Sequence, residues 1–132
     1  MIIVTGTTAT DRILIDSSGW LEHITEDVKA DLYQPYFDGD KILLVPTIVL
    51  YEVRKILLRK YSQTIADIFV SEALRQIILP LDEQIALDAA SVSIRHQLAM
   101  ADAIVYTTAL RQKATLIASD DHFQNLPGVV LL

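Results

Sequence analysis

The stretch Arg12-Ile-Leu-Ile-Asp16-Ser-Ser-Gly19 joins a short apolar run to an acid, two hydroxyls and a glycine. An uninterrupted apolar run of this length suits a strand buried on both faces, as in a parallel sheet sandwiched between helices. The residues after it stop the strand and open a helix expected over Trp20–Ile24, with Ser17 or Ser18 as its cap. The same pattern returns downstream. Asp38-Gly-Asp40 makes a turn, Lys41-Ile-Leu-Leu-Val45 a second buried strand, and Pro46-Thr47 the start of a helix reaching Lys60. Within that helix Val49, Val53 and Ile56 keep helical spacing. Ile77-Ile-Leu79, halted by Pro80, reads as a third strand, Thr115-Leu-Ile-Ala118 as a fourth and Val129-Val-Leu-Leu132 as a fifth. Further helices are expected over 28–36, 64–75, 82–95 and 101–111. Strands alternating with helices predict an α/β domain with a central parallel sheet covered on both faces.

A chain of 132 residues, 52% hydrophobic and 21% charged, suits one compact domain with a substantial core. Thr5-Gly-Thr-Thr-Ala-Thr-Asp11 is small and polar, so residues 1–11 are read as an N-terminal extension or arm and 12–132 as the domain. That leader has neither the glycine spacing nor the lysine of a phosphate-gripping loop. The absence of cysteine excludes disulfides and thiolate metal ligands. The apolar run from Ile42 to Tyr51 contains Pro46 and Thr47 and falls short of the roughly 20 residues a bilayer span needs. Met1-Ile-Ile-Val4 lacks the basic region and long apolar stretch of a secretory signal, so a cytoplasmic protein with no membrane partner is expected. A net charge of −6 argues against general electrostatic adhesion to nucleic acid, though not against a local grip on a polyanion.

Four carboxylates stand out by position. Asp16 follows the first strand, Glu52 lies in the helix after the second, Asp102 begins a helix and Asp120 follows the fourth strand. In open parallel sheets, ligands bind beyond the carboxyl ends of the strands, where three of these acids fall and Glu52 can reach. Mg²⁺ and Mn²⁺ prefer oxygen ligands, and clustered carboxylates repel one another unless a cation neutralises them. Each acid also has an ordinary reading. Asp16 suits a cap or turn, Glu52 a pair with Lys55 at i+3, Asp102 a favourable first helical turn, and Asp120 or Asp121 the end of a strand. Ile48 and Ile56 place Glu52 near an apolar stripe, which is an awkward place for an idle charge.

Four blocks in order sharpen this pattern. Ile13-Leu-Ile-Asp16-Ser-Ser-Gly-Trp-Leu-Glu22 and Pro46-Thr-Ile-Val-Leu-Tyr-Glu52-Val53 are followed by Met100-Ala-Asp102-Ala-Ile-Val-Tyr-Thr-Thr-Ala109. Thr115-Leu-Ile-Ala-Ser-Asp120-Asp-His-Phe123, with Leu126-Pro-Gly-Val129 behind it, completes the series. Together they resemble the PIN-domain family, VapC-type toxins in particular, over residues 12–132. The resemblance implies a three-layer α/β/α domain and a Mg²⁺- or Mn²⁺-dependent ribonuclease that acts as a homodimer and is inhibited by a cognate antitoxin. It matches Asp16, Glu52 and Asp102 to the three central family acids, Asp120 to a fourth, more variable one, and Ser18 to the hydroxyl beside the first. Two features depart from the family pattern: about ten residues precede the first strand, and the net charge is low for a protein that handles RNA.

On this reading Asp16, Asp102 and Asp120 bind metal, and Glu52 shares the metal or positions the attacking water. In-line attack by water then leaves a 5′-phosphate and a 3′-hydroxyl. Ser18, Ser119 and Asp121 are candidates to support these acids through hydrogen bonds, with capping and solvent exposure as the alternatives. His122, beside the site, is a candidate for RNA contact or for supporting the acids, with local packing or solvation beside Phe123 as its ordinary reading. Arg54 and Lys55, in the most concentrated basic patch, could steer RNA or simply form a solvated helix face. His23 and His96 read as surface or interface residues, and Trp20, Tyr33, Tyr36 and Phe37 as packing residues or an aromatic interface. The competing functions are a PIN-like nuclease of RNA processing or DNA repair, and a catalytically inactive PIN-fold binding domain. A dinucleotide-binding domain is disfavoured, because Asp16-Ser-Ser-Gly19 lacks the glycine-rich loop that admits a pyrophosphate.

Overall fold

The computed structural model describes residues 11–132, so the arm expected over 1–11 lies, apart from Asp11, outside the described residues. Among the described residues, five strands form one sheet: β1 (Arg12–Ile15), β2 (Ile42–Pro46), β3 (Ile77–Leu79), β4 (Thr115–Ala118) and β5 (Val129–Leu131). The spatial order is β3-β2-β1-β4-β5, and every neighbouring pair is parallel. Ile13, Leu14 and Ile15 on the central strand are buried, as are Leu43–Val45 on β2 and Leu116–Ala118 on β4. These continuous apolar runs have helices on both sides of them, giving the α/β/α sandwich that the strand pattern predicts.

Among the described residues, six α-helices connect and cover the sheet: α1 (Ser17–Thr25), α2 (Ala30–Asp38), α3 (Thr47–Lys60), α4 (Gln63–Ala73), α5 (Glu83–His96) and α6 (Met100–Arg111). The first four pack against one another, and α5 pairs closely with α6. Val49, Val53 and Leu57 of α3 and Ala66, Phe69 and Ala73 of α4 are buried at helical spacing. Trp20 and Tyr33 are core residues, and Trp20 meets Phe37 and Phe69 edge-on at 4.8 and 5.4 Å. His23 stacks on Phe37 at 3.9 Å and pairs with Glu72 at 2.5 Å, tying α1 to α4.

Two expectations about helix starts are corrected. The cap of α1 is neither serine but Asp16, whose backbone is extended and whose carboxylate accepts from Gly19 N at 3.0 Å. Helix α2 begins at Ala30 rather than Val28. The Asp27 side chain accepts from Val28 N at 2.8 Å and its carbonyl from Ala30 N at 3.0 Å, so a turn occupies the stretch before Ala30.

Chain direction matters for the site. After β3 the chain crosses by α5 and α6 to the far side of β1, where β4 and then β5 are laid down. The order of strands therefore reverses between β1 and β4. A crevice opens beyond the carboxyl ends of two strands at such a switch point. Asp16 leaves β1 there and Asp120 leaves β4, and Asp16 N donates to Ile117 O at 3.2 Å, holding the two strand ends together.

Candidate metal centre

Asp16 follows β1 at this switch point and is only 5% exposed. One carboxylate oxygen takes the Gly19 amide of the first turn of α1, so the residue is at once helix cap and buried charge. Burial pushes its carboxyl up to about 7, and repulsion from Asp102 and Asp120 adds to the shift, while the Gly19 hydrogen bond opposes it. The buried Tyr33 ring of α2 presents its hydroxyl to the same carboxylate and donates to Ser119 Oγ at 2.9 Å. Burial, and the negative charge of Asp16, push the Tyr33 phenol upward, so it stays protonated as a donor.

Gly19 makes this approach of α2 feasible. A Cβ at that position would stand 2.5 Å from Tyr33 Cε1 and 2.8 Å from Cδ1, inside contact distance. Any other residue at 19 displaces the Tyr33 ring that reaches the acid.

The remaining acids arrive from three other segments. Asp102 lies in the first turn of α6, where the helix dipole favours an anion. Its carboxyl is nonetheless raised, first by burial and then by the charges of Asp120 and Glu52. Glu52, in the second turn of α3, accepts from Ser17 Oγ at 2.6 Å, which fixes its carboxylate against the start of α1. Asp120 caps a single 3₁₀ turn, Asp121–Phe123, by accepting from His122 N at 2.9 Å. That turn folds His122 back over the acids. Its Nδ1 stands 3.2 Å from Asp120 Oδ1 and 3.6 Å from Asp102 Oδ2.

Mutual repulsion thus links Asp16, Glu52, Asp102 and Asp120 into one electrostatic cluster. Among the described residues, no lysine or arginine forms a salt bridge with any of the four. Ligand atoms of Asp102, Asp120 and His122 all lie within 4.8 Å of one another, and these three could hold a divalent metal ion. The donor set fits such an ion chemically: hard carboxylate oxygens, one imidazole and an uncompensated excess of negative charge.

The structure distributes the other candidates unevenly. Ser119 joins the site through Tyr33, whereas Asp121 is exposed to solvent. Ser18 lines a separate cavity of about 270 Å³ between α1 and the end of α3, with Glu22 and Lys60. Arg54 is paired with Asp67 of α4 at 3.0 Å, and Lys55 places its Nζ 5.6 Å from the centre of the Tyr51 ring. Ser17 and Tyr33 are the residues of this site that the sequence did not single out for it.

The family assignment spans the same residues. The PIN domain family matches residues 13–129 of this chain, a range that holds all four acids. The chain belongs to the PIN domain family. Among solved structures it is similar to the sarcin–ricin loop cleaving toxin VapC20 of Mycobacterium tuberculosis, with a TM-score of 0.78, 16% identity, and 89% of this chain and 96% of that one covered. It is also similar to a chain of a toxin–antitoxin complex from Klebsiella pneumoniae, with a TM-score of 0.75, 19% identity, and coverage of 89% and 95%. A third likeness is to VapBC2 of Rickettsia felis bound to a DNA fragment from its promoter, with a TM-score of 0.70, 12% identity, and coverage of 92% and 97%. At these identities the likeness is one of fold. No curated protein matches the sequence. Among the described residues of this PIN domain, no helix is long and apolar enough to cross a membrane.

Proposed function

We propose that this PIN domain is a Mg²⁺- or Mn²⁺-dependent endoribonuclease, the toxin of a toxin–antitoxin pair. The observation that carries the reading is the convergence of four acids at the β1/β4 switch point, with no lysine or arginine salt-bridged to them among the described residues. Asp16, Asp102 and Asp120 would hold the ion, with His122 at its edge and Glu52 sharing it. A bound divalent cation offsets charge on the phosphoryl oxygens and lowers the pKa of water.

The protein's own groups do the rest. Glu52, anchored through one oxygen by Ser17, has its other oxygen left to orient the attacking water. Asp16, anchored by the Gly19 amide and backed by Tyr33, holds its charge at a fixed point in the crevice. Attack in line on phosphorus leaves a 5′-phosphate and a 3′-hydroxyl, and no serine or cysteine nucleophile is needed. An RNA substrate is favoured because VapC20, which has a similar fold, is a sarcin–ricin loop cleaving toxin. The Klebsiella likeness comes from a complex of toxin with antitoxin, which supports an antitoxin partner here. A homodimer in the cytoplasm completes the reading.

Total cellular RNA treated with the purified, antitoxin-free protein and Mg²⁺ or Mn²⁺ tests it. Discrete 5′-phosphate ends, absent with Asp16→Asn or EDTA, are expected. Intact RNA with a folded, metal-loaded protein would overturn the assignment.

A further inference from the structure

Helix α3 carries more than Glu52. Four of the chain's 11 lysines and arginines, Arg54, Lys55, Arg59 and Lys60, fall within seven residues of it, in a protein whose net charge is −6. Arg54 is taken up by Asp67, but Lys55 and Arg59 are exposed and form no salt bridge among the described residues. Helical geometry puts these two on the Glu52 side of α3. They lie three and seven residues further along, about 4.5 and about 10.5 Å down the axis. Beside them Tyr51 is 60% exposed, with Lys55 Nζ over its ring at 5.6 Å. Tyr51, Arg54, Lys55, Leu58 and Arg59 form one open stripe along α3, and it begins at the residue that precedes Glu52 in the helix.

We propose that this exposed face of α3 is a track for the single-stranded RNA flanking the scissile phosphate. Lys55 and Arg59 take successive backbone phosphates, and Tyr51 offers a stacking face to one base. The inference rests on the nuclease reading above and extends it to a named substrate path. Charge argues for it. An acid cluster repels a polyanion, so the strand needs cations at its approach, and Lys55 and Arg59 supply them on the Glu52 side of α3. Cations spaced along a surface beside an exposed aromatic can hold a single strand without sequence readout. Lys55 lies within reach of Glu52 at i+3 but sits over Tyr51, so its charge is left to an outside anion.

The test is binding of short, fluorescently labelled single-stranded RNA of random sequence by the Asp16→Asn protein, across a range of salt concentrations. Adding Lys55→Ala and Arg59→Ala together should weaken binding about 10-fold near physiological salt. It should also reduce the slope of log affinity against log salt by about 1.4, at about 0.7 for each phosphate no longer neutralised. Tyr51→Ala should weaken binding about 10-fold with the slope unchanged. A control pair, Lys41→Ala with Arg75→Ala, removes the same charge from the amino ends of β2 and β3 and should leave the slope as it was.

Equal effects from the control pair would overturn the track, because net charge alone would then explain the weaker binding. Unchanged RNA binding with an altered oligomeric mass would also overturn it and give the face to a protein partner. Cleavage by otherwise wild-type protein separates the two readings. Metal-dependent cleavage with an unaltered KM in the Lys55/Arg59 variant sinks the track alone. A wild-type protein that neither binds nor cuts RNA sinks the nuclease assignment and the track with it.

Discussion

Replacing Asp16 by asparagine should make the metal-free protein more stable, although the residue caps a helix and sits in the core. Asparagine caps as well as aspartate, so the Gly19 hydrogen bond survives and only the charge is removed. The folded-state carboxyl titrates at about 7 against 3.8 for the free side chain, mainly because of burial. A raised pKa means the folded protein keeps a proton that the unfolded chain has released, so stability falls as pH rises from about 4 to about 7. Above that range the full penalty applies. Roughly three pKa units correspond to at most about 4 kcal/mol. For a domain of this size each kcal/mol moves Tm by about 3 °C, so Asp16→Asn should melt about 5–12 °C above wild type at pH 8 in EDTA. At pH 4.5 the gap should shrink to within about 3 °C. Divalent metal binds the charged form, so Mg²⁺ or Mn²⁺ should raise the Tm of wild type at pH 8 and leave the variant nearly unmoved. Differential scanning calorimetry at the two pH values, with and without metal, reads all of this. Equal melting of the two proteins at pH 8 in EDTA would refute the claim that Asp16 is held as an unfavourable buried charge.

Other substitutions probe the supports. Gly19→Ala forces a methyl against the Tyr33 ring and should cost about 1–3 kcal/mol in urea unfolding, with metal affinity falling as Tyr33 and Ser119 shift. Ser17→Ala frees the Glu52 carboxylate and should lower cleavage about 10- to 100-fold, whereas Ser18→Ala, which touches the separate cavity, should change it little. His122→Ala removes an imidazole from an otherwise all-oxygen set, so calorimetric titration should show affinity for Mn²⁺ falling further than affinity for Mg²⁺.

The strands and their order of appearance were readable from the sequence because each is a continuous apolar run bounded by an acid, a proline or a turn. The helix starts were less so. Two serines follow Asp16, and both suit a cap. Asp16 takes that place because the chain is still extended at its own position, and this advances the helical phase so that Ser17, not Ser18, faces Glu52. Nothing local in the sequence marks Tyr33 for the site, because its approach to Asp16 is set by contact between α1 and α2 over Gly19. His122 did have one. Asp120 two residues before it forms a side-chain turn onto its amide, a pattern that folds the imidazole back over the preceding acid. Asp16 and Asp120 are marked in the sequence by strand ends, Asp102 by a helix start and Glu52 by its apolar neighbours, and the reversal of strand order between β1 and β4 explains why residues so far apart in sequence meet.

If the proposed function holds, these acids form one divalent-metal site and RNA cleavage depends on it. Titrating Mn²⁺ into the protein while following bound ion by electron paramagnetic resonance and RNA cleavage in the same samples tests it most directly. The two curves should rise together, and both should collapse in Asp102→Asn. Cleavage that persists in EDTA, or Mn²⁺ binding unchanged by Asp102→Asn, would rule out a nuclease built on this metal site.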